Sequence, residues 1–427
     1  MDAFIKLIQK TYRMLEHPGS SKGLNNVLSL SSLQVITYIL PIIILPYLFR
    51  VIGPEKFGLI AFAQAFVQYF MILTDYGFSV SSTKEIALYL EDRAKICNVI
   101  SAVMTIKTIL SFLSLIILFL VIFIVPRFKE DWMVYALSFG VVVGNTFFPA
   151  WFFQGSENMK YTAKINIIGE FAYAFGIFIF IHNPDDYLLV PIITSGAALI
   201  TGILGQYVLF TRFDVSFQFP KYKDLKYQLK AGWNVFISVL AINAYTTTRV
   251  FAVGLLTNNT LTGFYSIAER IANAVQTFPL SSFTQAIFPR LSSIYSKNKK
   301  KAYDIMNKVQ LITVIVSIIF LPVVFTLAPL IVKLVCGGEY PAAILSLRFL
   351  LISVFFISSN AFRVQFLLVC GKTKDYSRIH ITMAVIGLPL IIILIYTFSY
   401  AGAALATAII EAGVFILTFL TIKKLKL

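Results

Sequence analysis

Apolar runs of about 20 residues recur along the whole chain, each long enough to cross a hydrocarbon core of roughly 30 Å as a helix. That feature leaves few folds open, because a segment in lipid must satisfy its own backbone hydrogen bonds. Runs of this length suit helices; barrel strands would be half as long and would alternate. Composition agrees: 58% of the 427 residues are hydrophobic and only 13% charged, against about 25% charged in soluble domains. The first 26 residues are polar and mildly basic and lack an export h-region, so no cleavable signal peptide is expected. Cys97, Cys336 and Cys370 fall in separate segments with no CxxC and no histidine at ligand spacing, which argues against a disulfide framework or a zinc site.

Twelve spans are predicted, at about 27–50, 58–79, 99–125, 132–153, 164–182, 187–211, 232–256, 262–289, 308–332, 343–369, 378–398 and 400–422. The lysines and arginines decide the orientation. With the N-terminus inside, 26 of the 36 fall in cytoplasmic segments, and five (Arg50, Lys56, Arg127, Lys129 and Lys333) face outward. The positive-inside rule therefore gives an N-in, C-in topology. The formal charge of +16 is in this light an orientation signal, and no nucleic-acid partner is expected. The predicted organisation is a cytoplasmic N-terminal segment (1–26), a six-helix bundle (27–211), a cytoplasmic linker (212–231), a second six-helix bundle (232–422) and a short cytoplasmic tail (423–427).

Six spans on either side of one linker suggest a duplication. At an offset of 205, the segment from Gly58 to Gln64 aligns with that from Gly263 to Glu269, Gln68 falls on Asn273 and Met71 on Gln276. A weaker echo pairs Asn145 to Gly155 with Asn360 to Gly371. Halves with an even number of spans would be parallel repeats about an axis along the membrane normal, as in many transporters.

Polar residues inside spans carry the chemistry. On a helix, Gln64, Gln68, Met71 and Asp75 lie within roughly 60° of one another. Glu269, Asn273 and Gln276 form the matching stripe on span 8, so both stripes are expected to line a wet cavity between the halves. The plainer alternative is helix–helix glue at about 0.6 kcal/mol per contact. Cations at span centres cost about 2.5–3.5 kcal/mol and usually face a pathway or an acid. Arg249 and Arg270 would lie in the outer half of the membrane, Lys107 and Arg363 in the inner half, and Arg348 near the rim. Together they suit an anionic passenger, with snorkelling as the competing explanation. Asp75, Glu170, Glu269 and Glu411 are the coupling-ion candidates, each able instead to neutralise a buried arginine. Enzyme signals are missing: the "CGKTK" at Cys370 to Lys374 lacks the P-loop glycine, since position 366 is Phe366. His17, His182 and His380 are scattered, with no neighbouring nucleophile.

Pro46, Arg50, Gly53-Pro54, Gly58 and "AFAQAF" (Ala61 to Phe66), then "ILTDYGFSVSSTKEIA" (Ile72 to Ala87) and "WFFQGSE" (Trp151 to Glu157), resemble bacterial polysaccharide transporters of the Wzx (RfbX) O-antigen flippase type. The resemblance spans essentially the whole chain, with motifs more specific in the first half. It implies an all-α integral membrane protein of the multidrug/oligosaccharidyl-lipid/polysaccharide exporter superfamily, with a MATE-like fold of twelve transmembrane helices around a cationic cavity. It further implies a non-enzymatic flippase in the bacterial inner membrane, turning an undecaprenyl-pyrophosphate-linked oligosaccharide to the periplasmic leaflet by alternating access. The expected partners are that substrate and membrane lipids, and could include a polysaccharide polymerase and a chain-length regulator. No cofactor is expected beyond H⁺ or Na⁺ coupling. Within this picture residues 50–57 form the outer hairpin between spans 1 and 2, where Arg50 anchors its helix at the headgroups or meets the arriving pyrophosphate. Two readings compete: an ion-coupled multidrug/cation antiporter, which would favour an acidic or aromatic pocket, and a membrane polymerase or ligase, which would need a longer outer loop.

Overall fold

A computed structural model describes the backbone of residues 21–424 and the side chains of residues 40–277, 291 and 293–424. The expected cytoplasmic segment 1–26, with its basic residues up to Lys22, therefore lies largely outside the described residues, as do the side chain of Arg290 and residue Lys426. Among the described residues there are helices and no strand.

The first element, α1 (Ser21–Asp75), is two helices joined at Gly53, whose φ of 74° and ψ of 167° leave the helical region. Glycine enters that conformation without steric cost, and Pro54 suits the first turn that follows. The chain reverses here: the Phe49 and Phe57 ring centroids lie 5.2 Å apart, whereas eight residues of continuous helix would rise about 12 Å. We call the two parts α1a (21–52) and α1b (54–75). Then come α2 (Phe78–Leu88) and α3 (Arg93–Ile124), the latter capped by Asp92, whose carboxylate accepts from the Lys95 amide at 3.1 Å.

The predicted span 132–153 is interrupted. It consists of α5 (Trp132–Ser138), α6 (Gly140–Phe147) and α7 (Ala150–Gly155), after a short α4 (Pro126–Lys129). The break at Phe148 (φ −78°, ψ 112°) follows from Pro149, which disfavours helical geometry in the residue before it. Helices α8 (Met159–Phe180) and α9 (Leu189–Arg212) complete the first half of the chain. Within the expected linker 212–231, α10 (Tyr222–Thr246) begins. It leads into α11 (Thr248–Leu256) across a 47° bend.

Asn258 starts α12 (Asn259–Lys297), its side chain accepting from the Leu261 amide at 2.9 Å. Asn298 does the same for α13 (Lys299–Cys336), and such caps contribute about 1 kcal/mol each. Then follow α14 (Pro341–Val369) and α15 (Thr373–Lys423). The last is again two helices, turning at Ser399 (φ 54°). There Gly402 lies so close to the Leu394 carbonyl that an added Cβ would overlap it, which places the two parts α15a (373–398) and α15b (400–423) side by side.

By length and composition, eight of the described helices can cross a membrane, or nine if the bent α10–α11 pair is one span. Helix α12 is central to the packing, lying against α1, α13 and α14, while α9 packs on α6 and α8, and α10 on α15.

Candidate functional site

The two chain halves meet along α1b, and glycine sets how closely. A Cβ on Gly58 would overlap the Asn259 carbonyl, and a Cβ on Gly263 would overlap the Pro54 carbonyl. Positions 58 and 263 differ by 205, as do 54 and 259, so each helix presents to the other the same residues of the repeat. That reciprocity is what a two-fold relation between halves produces at its axis. In a bilayer, such small-residue contacts drive helix association through van der Waals packing.

Around this contact several side chains cross the seam. Phe62 of α1b stacks on Phe251 of α11 at 5.3 Å, and the Tyr69 hydroxyl is 2.7 Å from the Thr248 hydroxyl. Two arginines of the first half cap helix ends of the second. Arg127 donates to the Gly254 carbonyl at 3.1 Å and to the Asn259 side-chain oxygen at 2.8 Å. Arg50 donates to the Val335 carbonyl at 3.2 Å and to the Leu334 carbonyl, at the end of α13. The last carbonyls of a helix lack intrahelical donors and carry partial negative charge, which is why guanidinium groups settle there. Arg50 thus joins the halves, a role distinct from the two expected for it. Neither bond was foreseeable from spacing, because the partners stand 132 and 284 residues away in sequence.

The halves touch again toward the other end of α1b. Tyr76 stacks on Phe236 at 4.8 Å with an interplanar angle of 13°, and Gln228 donates to the Glu85 carboxylate at 2.8 Å.

Between these contacts lies the predicted polar stripe. Arg270 is exposed and donates across the seam to Gln64 at 2.7 Å, with its guanidinium 5.5 Å from the Phe57 ring. Further along the two helices, Asn273 is exposed and Gln68, Gln276 and Asp75 are half-buried. Asp75 accepts from the Ser79 hydroxyl at 2.9 Å. Arg249 and Glu269 form an ion pair at 3.4 Å, their side chains only 13% and 15% exposed, and the Arg249 Nε also donates to the Thr246 carbonyl. Glu411, half-buried on α15b, is an electrostatic neighbour of Arg249. Close by in the second half, the Tyr245 hydroxyl is 2.8 Å from Nδ1 of buried His380.

The remaining candidates are held within single halves. Lys107 is buried in the first half and donates to the Asn145 carbonyl at 3.1 Å. Glu170 lies half-buried on α8. Arg363 sits between the rings of Phe415 and Phe419 at 4.9 and 5.0 Å, and Arg348 lies 5.1 Å from the Phe325 ring. Cation–π contacts of this kind satisfy a cation without an acid. Chemically, the polar stripe offers the exposed guanidinium of Arg270, the amide side chains of Gln64, Gln68, Asn273 and Gln276, and the Arg249–Glu269 pair, groups suited to binding an anion with hydroxyl-rich surroundings. Among the described residues no cluster of His, Cys, Asp or Glu could hold a metal ion.

Comparison with known proteins fits this architecture. The family described as "Polysaccharide biosynthesis protein" matches residues 24–295. A protein of Escherichia coli (strain K12) described as "Putative O-antigen transporter" is 30% identical over 403 residues, covering 94% of this chain and 97% of the relative. Among solved structures, the lipid II flippase MurJ in an inward closed conformation aligns with a TM-score of 0.74 at 12% identity, over 93% of this chain and 87% of that one. An inward-facing MATE family multidrug transporter of the MOP superfamily aligns with a TM-score of 0.73 at 16% identity, over 91% and 95%. The fold is that of these transporters. With a family match over most of its length and a relative along nearly all of it, this multi-pass membrane transporter belongs to the polysaccharide biosynthesis protein family.

Proposed function

We propose that the chain is a flippase for a polyprenyl-pyrophosphate-linked oligosaccharide, undecaprenyl-linked in bacteria, moving it from the cytoplasmic to the periplasmic leaflet of the inner membrane. The observation that carries this reading is Arg270, an exposed guanidinium on a seam between halves, steadied by Gln64 from the opposite side. Arg249 is paired with Glu269, whereas Arg270 bonds the neutral amide of Gln64. A pyrophosphate would meet Arg270, and the glycan hydroxyls would exchange hydrogen bonds with Gln64, Gln68, Asn273 and Gln276. The prenyl tail is at home in hydrocarbon and would stay outside the seam.

Reading α1 and α15 as two crossings each, α10–α11 as one, and adding α12 to the spans that qualify by length and composition, the proposed arrangement is twelve crossings in two bundles of six, N-in and C-in by the positive-inside rule. In that orientation the Gly58–Gly263 contact, with Arg50 and Arg127 beside it, is the periplasmic gate in its closed state. Rocking of one half against the other about that contact would open the gate and close the cytoplasmic side. The Arg249–Glu269 pair is the leading coupling element: protonation of the carboxylate, or Na⁺ beside it, would release Arg249 toward Glu411. Asp75 and Glu170 are further candidates. Replacing Arg270 with Ala in a strain lacking its own flippase should abolish surface polysaccharide at normal expression, with Lys restoring part of it. Full polysaccharide from the Ala variant would overturn the assignment.

A further inference from the structure

The segment joining the two halves has features that translocation does not use. Residues 213–221, outside any helix, lie against the start of α3, fixed there by three contacts. The Ser216 amide donates to Cys97 Sγ at 3.4 Å, the Gln218 amide to the Ser101 hydroxyl at 2.9 Å, and Arg93 pairs with Asp214 at 2.7 Å. Beyond that anchor the side chains turn outward. Phe219 is 94% exposed and Tyr222 79%, with Phe217, Tyr227 and Trp233 also exposed. Interleaved with them are Lys221, Lys223, Lys226 and Lys230, all exposed.

On α10 the pattern has a direction. At 3.6 residues per turn, Tyr222, Lys226, Lys230 and Trp233 fall within roughly 80° of one another, while Asp224 points well away. Gln228, on the opposite side, is the buried residue that bonds Glu85. The exposed stripe therefore sets two ammonium groups between two aromatic rings on the solvent side of a helix that continues into a membrane span. Rings with one apolar and one polar edge favour the headgroup level, lysine stems lie along apolar surface with their charge in water, and lysines near a leaflet attract acidic lipids.

We propose that this stripe, with Lys221, Lys223, Phe217 and Phe219 beside it, binds the headgroups of anionic glycerophospholipids in the adjacent leaflet. The four lysines hold phosphate and the rings enter the acyl boundary. Since residues 213–221 are tied to the first half and α10 belongs to the second, bound lipid would brace the one segment common to both. The inference is independent of the transported substrate.

Trp233 reports on the site directly. In a variant carrying W132F and W151F it is the single tryptophan, and the full-length protein can be reconstituted in phosphatidylcholine vesicles containing brominated phosphatidylglycerol or brominated phosphatidylcholine. Brominated phosphatidylglycerol should quench Trp233 at a several-fold lower mole fraction than brominated phosphatidylcholine. The preference should weaken stepwise as the lysines are neutralised, vanish in K221Q/K223Q/K226Q/K230Q and persist in the matching Lys→Arg variant. Equal quenching by the two lipids in the parent protein, or an undiminished preference in the glutamine variant, would overturn the proposal. So would loss of preference in the arginine variant with its fold intact by circular dichroism, since that would make lysine-specific protein contacts, and not anionic charge pairing, the cause.

Discussion

Arg249 and Glu269 stand 3.4 Å apart with both side chains largely covered, so each offsets a charge that the surroundings would otherwise reject. Arg249→Ala or Glu269→Ala alone should each cost about 3 kcal/mol, because the partner is left uncompensated, while the double substitution should cost less than either. Denaturant unfolding in detergent measures this, and additive losses would show that the two charges act separately. Arg270 differs, being exposed with one side-chain bond to Gln64. Arg270→Ala should leave stability within about 1 kcal/mol of the parent, since an exposed hydrogen bond contributes little, while transport is lost. Much at this scale was legible in the sequence: the polar stripe needs only helical periodicity, and the alignment of Gln64 with Glu269 placed both halves of it. The Arg249–Glu269 pairing was left open by the sequence because their distance depends on how α11 and α12 pack.

Helix pairs carry the proposed gate. The backbones of α1b and α12 touch through Gly58 and Gly263, and the arginine bonds from Arg50 and Arg127 flank that contact. Charge-assisted bonds of this kind contribute about 1.5 kcal/mol or more each. Losing both in R50A/R127A should shift the balance of states toward the outward-open form by at least about tenfold. A cysteine at Phe251, in a background without Cys97, Cys336 and Cys370, should then react faster with a membrane-impermeant maleimide added outside; an unchanged rate would remove the arginines from the gate. Gly58→Leu should act in the same direction by wedging the helices apart. The spans themselves were readable from local hydrophobic runs, and the turns at Gly53 and Ser399 fall at or beside predicted boundaries. The interruption at Phe148 was not read, although Pro149 signalled it. The Arg127–Asn259 bond had no sequence signal, because it joins loop ends brought together only by assembly of the halves.

For the whole molecule, the reciprocal contact of residues 54 and 58 with 259 and 263 turns a short sequence echo into a symmetry element. An internal two-fold would set the polar stripe on one half opposite its counterpart on the other, the arrangement that the proposed binding and rocking along one seam require. The proposed function requires that a pyrophosphate-linked glycan pass along this seam, held by Arg270. It is tested most directly by reconstituting the full chain in vesicles and following the movement of a polyprenyl-pyrophosphate oligosaccharide between leaflets with a membrane-impermeant glycan-modifying enzyme. Transfer by the parent protein and its loss in Arg270→Ala is the predicted result; no transfer by the folded parent, or equal transfer by the variant, would contradict the account.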